Sequence, residues 1–378
     1  MPVATLVVCN YNRKEKTTRC LRKLVEQDCD DLRILLVDNA STDGSDEYLE
    51  KTFAERVEVI RNQENLGGSG GFRTGLEVAM EAETEFVGVV DSDCYAERDT
   101  FRKLVSFLRK NPAFSGAAPA ILRADDEEVL QEVGGYVDWE NLRIGSHFAN
   151  RPASEVGETY DVDFLAATCA LFRSVDIRQA GLMEPEWFIY YDDVDWCVRL
   201  TRLGKRLAAL GEAMALHDSG IGSCTTLFHT FYEWRNRIAF FMRHARSGDE
   251  RRTREILAEQ AASALATCEV LGLKNKAHVI EQACADGFIG RLGRRDLEAF
   301  SMRDKPNSKE SQNEENRIIS VVGHCLRDAS EELAQIRGLV LRDGFGWELR
   351  ADEAFGKQAD FLDLKEAFFQ RFALPSKE

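Results

Sequence analysis

The sequence predicts an α/β fold, a mainly parallel central sheet flanked by helices and followed by a helical C-terminal appendage. Three observations lead there. Over the first 125 residues, short apolar runs alternate with stretches of helical spacing, the pattern of strands joined by crossover helices. Most of those runs break off in polar or acidic residues. Beyond residue 226 the β-type runs cease, and apolar residues recur at three- and four-residue spacing. The expected division is a first domain over 1–225 and a helical region over 226–378.

Residues 3–9 form the first apolar run, ending in Asn10, Tyr11, Asn12 and Arg13. Residues 16–27 place Leu21, Leu24 and Val25 at helical spacing. A second buried strand, 32–37, ends in Asp38-Asn39-Ala40-Ser41-Thr42-Asp43-Gly44-Ser45, and 57–60 is a third. Asp38 stands where a carboxylate could accept hydrogen bonds from a base or ribose. Capping of the following helix explains most of Asn39, Ser41, Thr42 and Asp43, with a ligand role left open for Asp43 beside Asp38. Residues 65–75, N-L-G-G-S-G-G-F-R-T-G, make a glycine-rich loop that opens a helix to about residue 81. It fits neither the dinucleotide nor the P-loop pattern. Arg73 occupies the third glycine position counted from Gly68, and Leu76-Glu77 stands where Lys-Ser/Thr would. Glycines at a helix start still let backbone approach an anion, which the helix dipole favours. A tight turn under a packed helix is the other reading.

Residues 86–90, F-V-G-V-V, form a fourth strand that stops in Asp91-Ser92-Asp93, and 100–109 is helical. Strand alternation points Asp91 and Asp93 the same way. Paired hard oxygen ligands suit Mg²⁺ or Mn²⁺, ions that keep positions open for phosphate oxygens. Capping of the next element is the alternative. In a parallel sheet the carboxyl ends of the strands line one crevice, so all these polar ends would meet there.

The middle of the chain adds a hairpin over 129–144, laid over the crevice, and a strand over 161–173. A turn at 181–185 leads to the apolar run 188–191, which stops in Asp192, Asp193 and Asp195 at the start of a helix. The dipole alone would welcome acids there. Adjacent residues point differently, however, so one of Asp192 and Asp193 can cap while the other faces the crevice as a general base. A strand over 206–216 ends in His217 and Asp218, where His217 could ligate a metal or be structural.

Composition narrows the class. A net charge of −16 argues against a general nucleic-acid binder. No apolar run reaches bilayer length, and the first strand begins too early to leave room for a signal peptide. Ten cysteines without a C-x-x-C pair read as reduced, packed thiols of a cytosolic protein.

These residues resemble a known family. Asn10 to Arg13, the Asp38 to Ser45 segment, Asn65-Leu66-Gly67-Gly68, Asp91-Ser92-Asp93, Tyr191-Asp192-Asp193-Val194-Asp195-Trp196 and His217 occur in the order seen in family 2 glycosyltransferases of the GT-A fold, a Rossmann-like architecture. The resemblance spans about 3–243 and is strongest to the galactofuranosyl- and rhamnosyltransferase branch, where N-L-G-G-x-G-G-F is characteristic. It implies inverting, metal-dependent transfer of a sugar, galactofuranose or rhamnose favoured, from a UDP- or dTDP-linked donor. The acceptor would be a glycan or a polyprenyl-diphosphate-linked saccharide in cell-surface polysaccharide synthesis, handled in the cytoplasm or at the inner membrane face. Carried over by residue, Asp38 holds the nucleotide and Asp91, Asp93 and His217 hold Mn²⁺ or Mg²⁺. Asp193, with Asp192 beside it, is the catalytic base. Asn10, Asn12, Arg13, Asn65, Gly67, Gly68, Arg73, Asp91 and Ser92 complete the donor site. One departure bears on the sugar: Tyr191 stands where the best-known galactofuranosyl enzymes have Trp.

The helical region opens with a stripe of Leu227, Phe231, Trp234, Ile238 and Phe241, read as core. Beside it, Arg235, Arg237, Arg243, Arg246, Arg251, Arg252 and Arg254 could meet an anionic membrane surface or a lipid diphosphate. Helices are expected over 254–271, 274–289, 317–336 and 358–372, with a polar, mobile segment at 301–316; they could cover the acceptor cleft or build a homo-oligomer. Two alternatives compete with the glycosyltransferase reading. A sugar nucleotidyltransferase would carry a G-x-G-T-R-like loop where Cys9 to Arg13 stand. A non-catalytic sugar-nucleotide-binding scaffold would not need Asp91, Asp93, Asp193 and His217 intact.

Overall fold

The computed structural model describes residues 2–29, 31–219, 226–270, 273–295 and Phe369. These fall into two compact units, one within Met1–Ser223 that also takes in Leu292–Arg294, the other within Cys224–Arg291 and Arg295–Glu378.

The first unit begins with β1 (Ala4–Asn10), α1 (Lys14–Val25), β2 (Leu32–Asp38), α2 (Ser45–Phe53), β3 (Val57–Arg61), α3 (Gly67–Glu81) and β4 (Phe86–Asp91). β1 lies between β2 and β4, parallel to both, and β3 runs parallel to β2 at the edge. β1, β2 and β4 are buried on both faces, which is why they read as continuous apolar runs. β3 is only partly buried, with Glu58 exposed and paired to Arg33 at 2.7 Å, as befits an edge strand. The parallel register aligns strand ends: Asn10 opposite Asp38, and Cys9 opposite Asp91.

The chain continues through β5 (Cys94–Ala96), α4 (Thr100–Lys110), β6 (Phe114–Arg123), β7 (Asp126–Glu132), β8 (Gly135–Asp138), β9 (Arg143–Ser146), β10 (Thr159–Val162), β11 (Cys169–Arg173), α5 (Ser174–Ala180), α6 (Asp192–Thr201) and β12 (Arg206–His217). Among the described residues these complete a ten-stranded mixed sheet in the order β10-β12-β6-β11-β4-β1-β2-β3, with β5 on β12 and β7 on β6. β8 and β9 form a separate hairpin. The α/β class with a mainly parallel half is as expected.

One expected strand is two. The run 161–173 splits into β10, which pairs with β12, and β11, which pairs with β4 and β6. Asp163 leaves the ladder to accept a hydrogen bond from Val137 N at 2.8 Å. The segment 163–168 then carries the chain from the sheet edge to its centre.

Residues 292–294 belong to this same unit. Gly293 N donates to Glu186 O at 2.5 Å, on the 3₁₀ turn Pro185–Trp187.

The second unit contains α7 (Leu227–His244), α8 (Glu250–Val270) and α9 (Lys274–Phe288). Leu227, Phe231, Ile238 and Phe241 are buried, as the stripe predicts. Two of the arginines beside it are not surface groups. Arg235 lies over the Tyr232 ring at 4.7 Å and Arg237 reaches Gln260 Oε1 at 2.5 Å, both buried. Burial pulls the Arg235 pKa down to about 10. The expected membrane-facing basic set therefore loses these two, whose stems and head groups pack inside the helices. Residues 301–316 and 317–336, and 358–372 except Phe369, lie outside the described residues. Eight cysteines are described and all are free thiols. Among the described residues, no helix is long and apolar enough to cross a membrane.

Candidate active site

The site is assembled by strand ends. β4 stops at Asp91, and the next turn places Asp93 just before β5, where it is 2% exposed. β12 brings the third member. A register shift between Leu210 and Met214 bends β12 away from a straight pairing with β6. Its second half then pairs with β5, setting His217 opposite Cys94, while Asp218 N donates to Asp93 O at 2.9 Å. His217 Nε2 consequently lies 3.4 Å from Asp93 Oδ1. Asp91, Asp93 and His217 each offer a ligand atom, and these atoms lie within 4.8 Å of one another. Two carboxylates and an imidazole that converge this closely fit a divalent cation such as Mn²⁺ or Mg²⁺.

Charge on the cluster is unevenly held. Burial pushes the Asp91 carboxyl up to about 6, reinforced by the Asp93 charge. Burial acts the same way on Asp93, but the His217 hydrogen bond and the Arg13 and Lys16 charges outweigh it and keep its pKa below the ordinary value. Arg13 Nη1 donates to Asp93 Oδ2, and Lys16 Nζ lies 3.1 Å from Asp218 Oδ1. Burial pulls His217 down, yet the Asp93 hydrogen bond and the surrounding carboxylates leave its pKa raised.

Asp192 and Asp193 open α6. The approach to them is strained: Phe188, Tyr190 and Tyr191 have φ of 67°, 64° and 66°, a region bulky residues avoid. Asp193 Oδ2 accepts from Ala167 N at 3.1 Å and Oδ1 from Val194 N at 2.8 Å. The neighbouring Thr168 O accepts from Asp91 N at 3.0 Å, so two consecutive residues of the 163–168 segment tie Asp193 and Asp91 together. Burial raises the Asp193 pKa against those amide hydrogen bonds. Asp192, 7% exposed, is pushed up to about 7 by burial and then by Asp193. Cys9 reports the convergence: burial lifts its pKa to about 12, with Asp91, Asp38 and Asp192 all adding to the rise.

The other expected site residues divide. Asn10 is buried and spans from Asp38 Oδ1 (2.8 Å) to Ser45 Oγ (2.8 Å), while Ser41 N donates to the second Asp38 oxygen at 2.9 Å. Asn12 Oδ1 accepts from Thr42 N at 2.7 Å. Asn65 accepts from Asn39 Nδ2 (3.0 Å) and Gly67 N (2.8 Å), shaping the start of α3. Gly67 has φ 75°, and a Cβ there would sit 2.1 Å from Phe188 O. Gly68 faces open space. Arg73 is committed to Glu77 Oε1 (2.7 Å) and Met183 O (3.3 Å) rather than to the acid cluster. Ser92 is buried in the turn between Asp91 and Asp93.

Two residues at the site were not singled out from the sequence. Gln131 meets His217 Nδ1, with Nε2 at 2.9 Å and Oε1 at 3.1 Å. Glu132 accepts from Ser146 Oγ at 3.1 Å; burial, together with Asp193 and Asp91, pushes it up to about 6. In the sequence they end D-E-E-V-L-Q-E, which reads as an ordinary exposed strand.

The family model described as Glycosyl transferase family 2 matches residues 5–179. The galactofuranosyltransferase GlfT1 of Mycolicibacterium smegmatis is 24% identical over 58% of this chain and 72% of its own length. An uncharacterized glycosyltransferase of Haemophilus influenzae is 26% identical over 29% of this chain, which spans about a third of that relative, 34%. A mannosyltransferase of Pyrobaculum calidifontis, solved with GDP-Man and Mn²⁺, superposes with a TM-score of 0.48 at 14% identity, covering 98% of this chain and 87% of that one.

Proposed function

We propose, from the match of residues 5–179 to the model described as Glycosyl transferase family 2, that this protein is an inverting, divalent-cation-dependent glycosyltransferase. Its donor would be a nucleotide-diphosphate sugar and its acceptor a hydroxyl of a glycan or lipid-linked saccharide. The similarity to a galactofuranosyltransferase favours galactofuranose as the sugar. Residues 1–225 would be the catalytic domain.

The observation that carries the reading is the meeting of Asp91, Asp93 and His217 beside a second acidic pair. Asp91, Asp93 and His217 would hold the cation, which when bound supplies positive charge to the diphosphate leaving group. Arg13 and Lys16, already against Asp93, add cationic charge at the same place. Asp193 is suited to be the base: two backbone amides fix its carboxylate, and burial raises its proton affinity. It takes the proton of the acceptor hydroxyl as that oxygen bonds to the anomeric carbon. The bond from that carbon to the diphosphate oxygen breaks on the opposite face, so configuration inverts. Asp192 stays buried within electrostatic reach of Asp193 and of the Cys9 thiol, shaping the field at the base. Asp38, held by Asn10 and the Ser41 amide, presents the nucleotide-binding edge.

The test is a panel of UDP- and dTDP-sugars with Mn²⁺, read by nucleotide release and by thermal shift. One donor should raise the melting temperature and be hydrolysed or transferred, and a chelator should abolish the turnover. No stabilisation by any nucleotide, or full turnover in chelator, would overturn the reading.

A further inference from the structure

His217 can serve a cation only through one nitrogen at a time, and which one is free depends on what holds the other. Nε2 faces Asp93 at 3.4 Å. Nδ1 faces the Gln131 amide, with 2.9 Å to Nε2 and 3.1 Å to Oε1. The contact is long-range and needs specific lengths of side chain. β7 and β12 lie against the same end of β6, with Leu122 opposite Leu130 in one pairing and opposite Leu216 in the other. β7 runs antiparallel and β12 parallel to β6, so Gln131 lies toward Ile121 and His217 opposite Arg123, and the two side chains meet across β6. The imidazole is nearly covered, with its side chain 11% exposed, so water has little access to replace the amide.

We infer that Gln131 is a positioning residue for the candidate cation site, fixing His217 with Nδ1–H donating to the Gln131 amide oxygen and the Nε2 lone pair aimed at the ion. The inference rests on the proposed cation site of Asp91, Asp93 and His217. An amide can rotate to present its oxygen, which accepts a hydrogen bond from Nδ1–H and leaves Nε2 as the nitrogen without a proton for the ion. A hydrogen-bond acceptor behind a ligating histidine orients the ring and raises its basicity, and its loss costs about 10–100-fold in metal affinity. An alternative is that Gln131 only satisfies a covered imidazole and steadies the end of β7. That role would act on stability and leave cation affinity unchanged.

The experiment titrates Mn²⁺ into the full chain by calorimetry, for the wild type, Gln131→Met and Gln131→Glu. Methionine keeps the side-chain length and removes the acceptor; glutamate keeps the acceptor. Gln131→Met should bind Mn²⁺ about 10–100-fold more weakly, and Gln131→Glu should bind within a few-fold of the wild type. Equal affinity for wild type and Gln131→Met overturns the inference while the cation site stands. No Mn²⁺ binding by the wild type overturns both. A measurement on the wild type alone guards against a variant that fails to fold. With Mg²⁺ bound, the His217 ring nitrogens in a ¹⁵N correlation spectrum should show Nδ1 protonated and Nε2 bare. The reverse tautomer overturns the inference.

Discussion

At the residue scale, the activity should turn on Asp193. Its carboxylate accepts two backbone amides, so Asp193→Asn keeps the volume and one acceptor oxygen but loses the ability to take a proton. Transfer should drop by about 10²–10⁴-fold, the usual worth of a general base, while UDP or dTDP binding by thermal shift stays within a few-fold. Because burial raises the pKa of Asp193, the base is protonated over a wider acidic range than an exposed aspartate. Turnover in the wild type should therefore fall as pH is lowered, and that limb should begin above the ordinary carboxylate range. Retained activity in Asp193→Asn would move the base elsewhere. In the sequence, an apolar run that stops in adjacent acids marks Asp192 and Asp193 together, and only the family resemblance singles out Asp193 as the candidate base. Gln131 and Glu132 are not marked at all, because their meaning lies in partners across β6 and in the β8–β9 hairpin. No local pattern in E-E-V-L-Q-E distinguishes a strand end facing a site from one facing water.

At the element scale, α3 separates packing glycines from an open one. A Cβ on Gly75 would lie 2.2 Å from Val7 Cγ1 and 2.9 Å from Val37 Cγ2, and one on Gly71 would lie 2.2 Å from Cys9 Sγ. These glycines let the helix lie directly on β1 and β2. Gly68 has nothing within 4 Å of its Cβ position. Gly75→Ala should destabilise by about 1–3 kcal/mol through overpacking, measured by urea unfolding. Gly68→Ala should stabilise by about 0.5–1 kcal/mol through helix propensity. If backbone at Gly68 approaches the donor, that same substitution should weaken nucleotide binding while it strengthens the fold. The strands of this half were readable because burial on both faces leaves long apolar runs. The 161–173 run was not, because apolar content cannot show that its two ends pair with different strands. Nor could spacing show the shift between Leu210 and Met214 that delivers His217 to Asp93.

At the scale of the whole molecule, buried acids make stability depend on pH in an uncommon direction. Glu132 titrates near 6 and Asp192 near 7, both raised chiefly by burial. In the unfolded chain both lose their protons near pH 4. The folded protein therefore holds protons that the unfolded chain has released, and these two groups favour unfolding as pH rises through that interval. The destabilisation is absent below about pH 4 and fully developed above about 6 for Glu132 and about 7 for Asp192. Glu132→Gln should consequently be more stable than the wild type at pH 7.5, with the difference shrinking toward pH 4.5, in urea unfolding with chelator present. An advantage that is constant across this interval would assign the gain to something other than ionisation.

The link from Gly293 to Glu186 bears on how the protein can be cut. Leu292–Arg294 close onto the turn that leads into Phe188, Tyr190 and Tyr191, so the first unit is discontinuous along the polypeptide. A truncation ending at residue 225 would amputate part of the body it is meant to isolate, and would remove a brace from the segment that presents the base. A minimal catalytic fragment should instead graft those three residues back through a linker, or retain everything up to them.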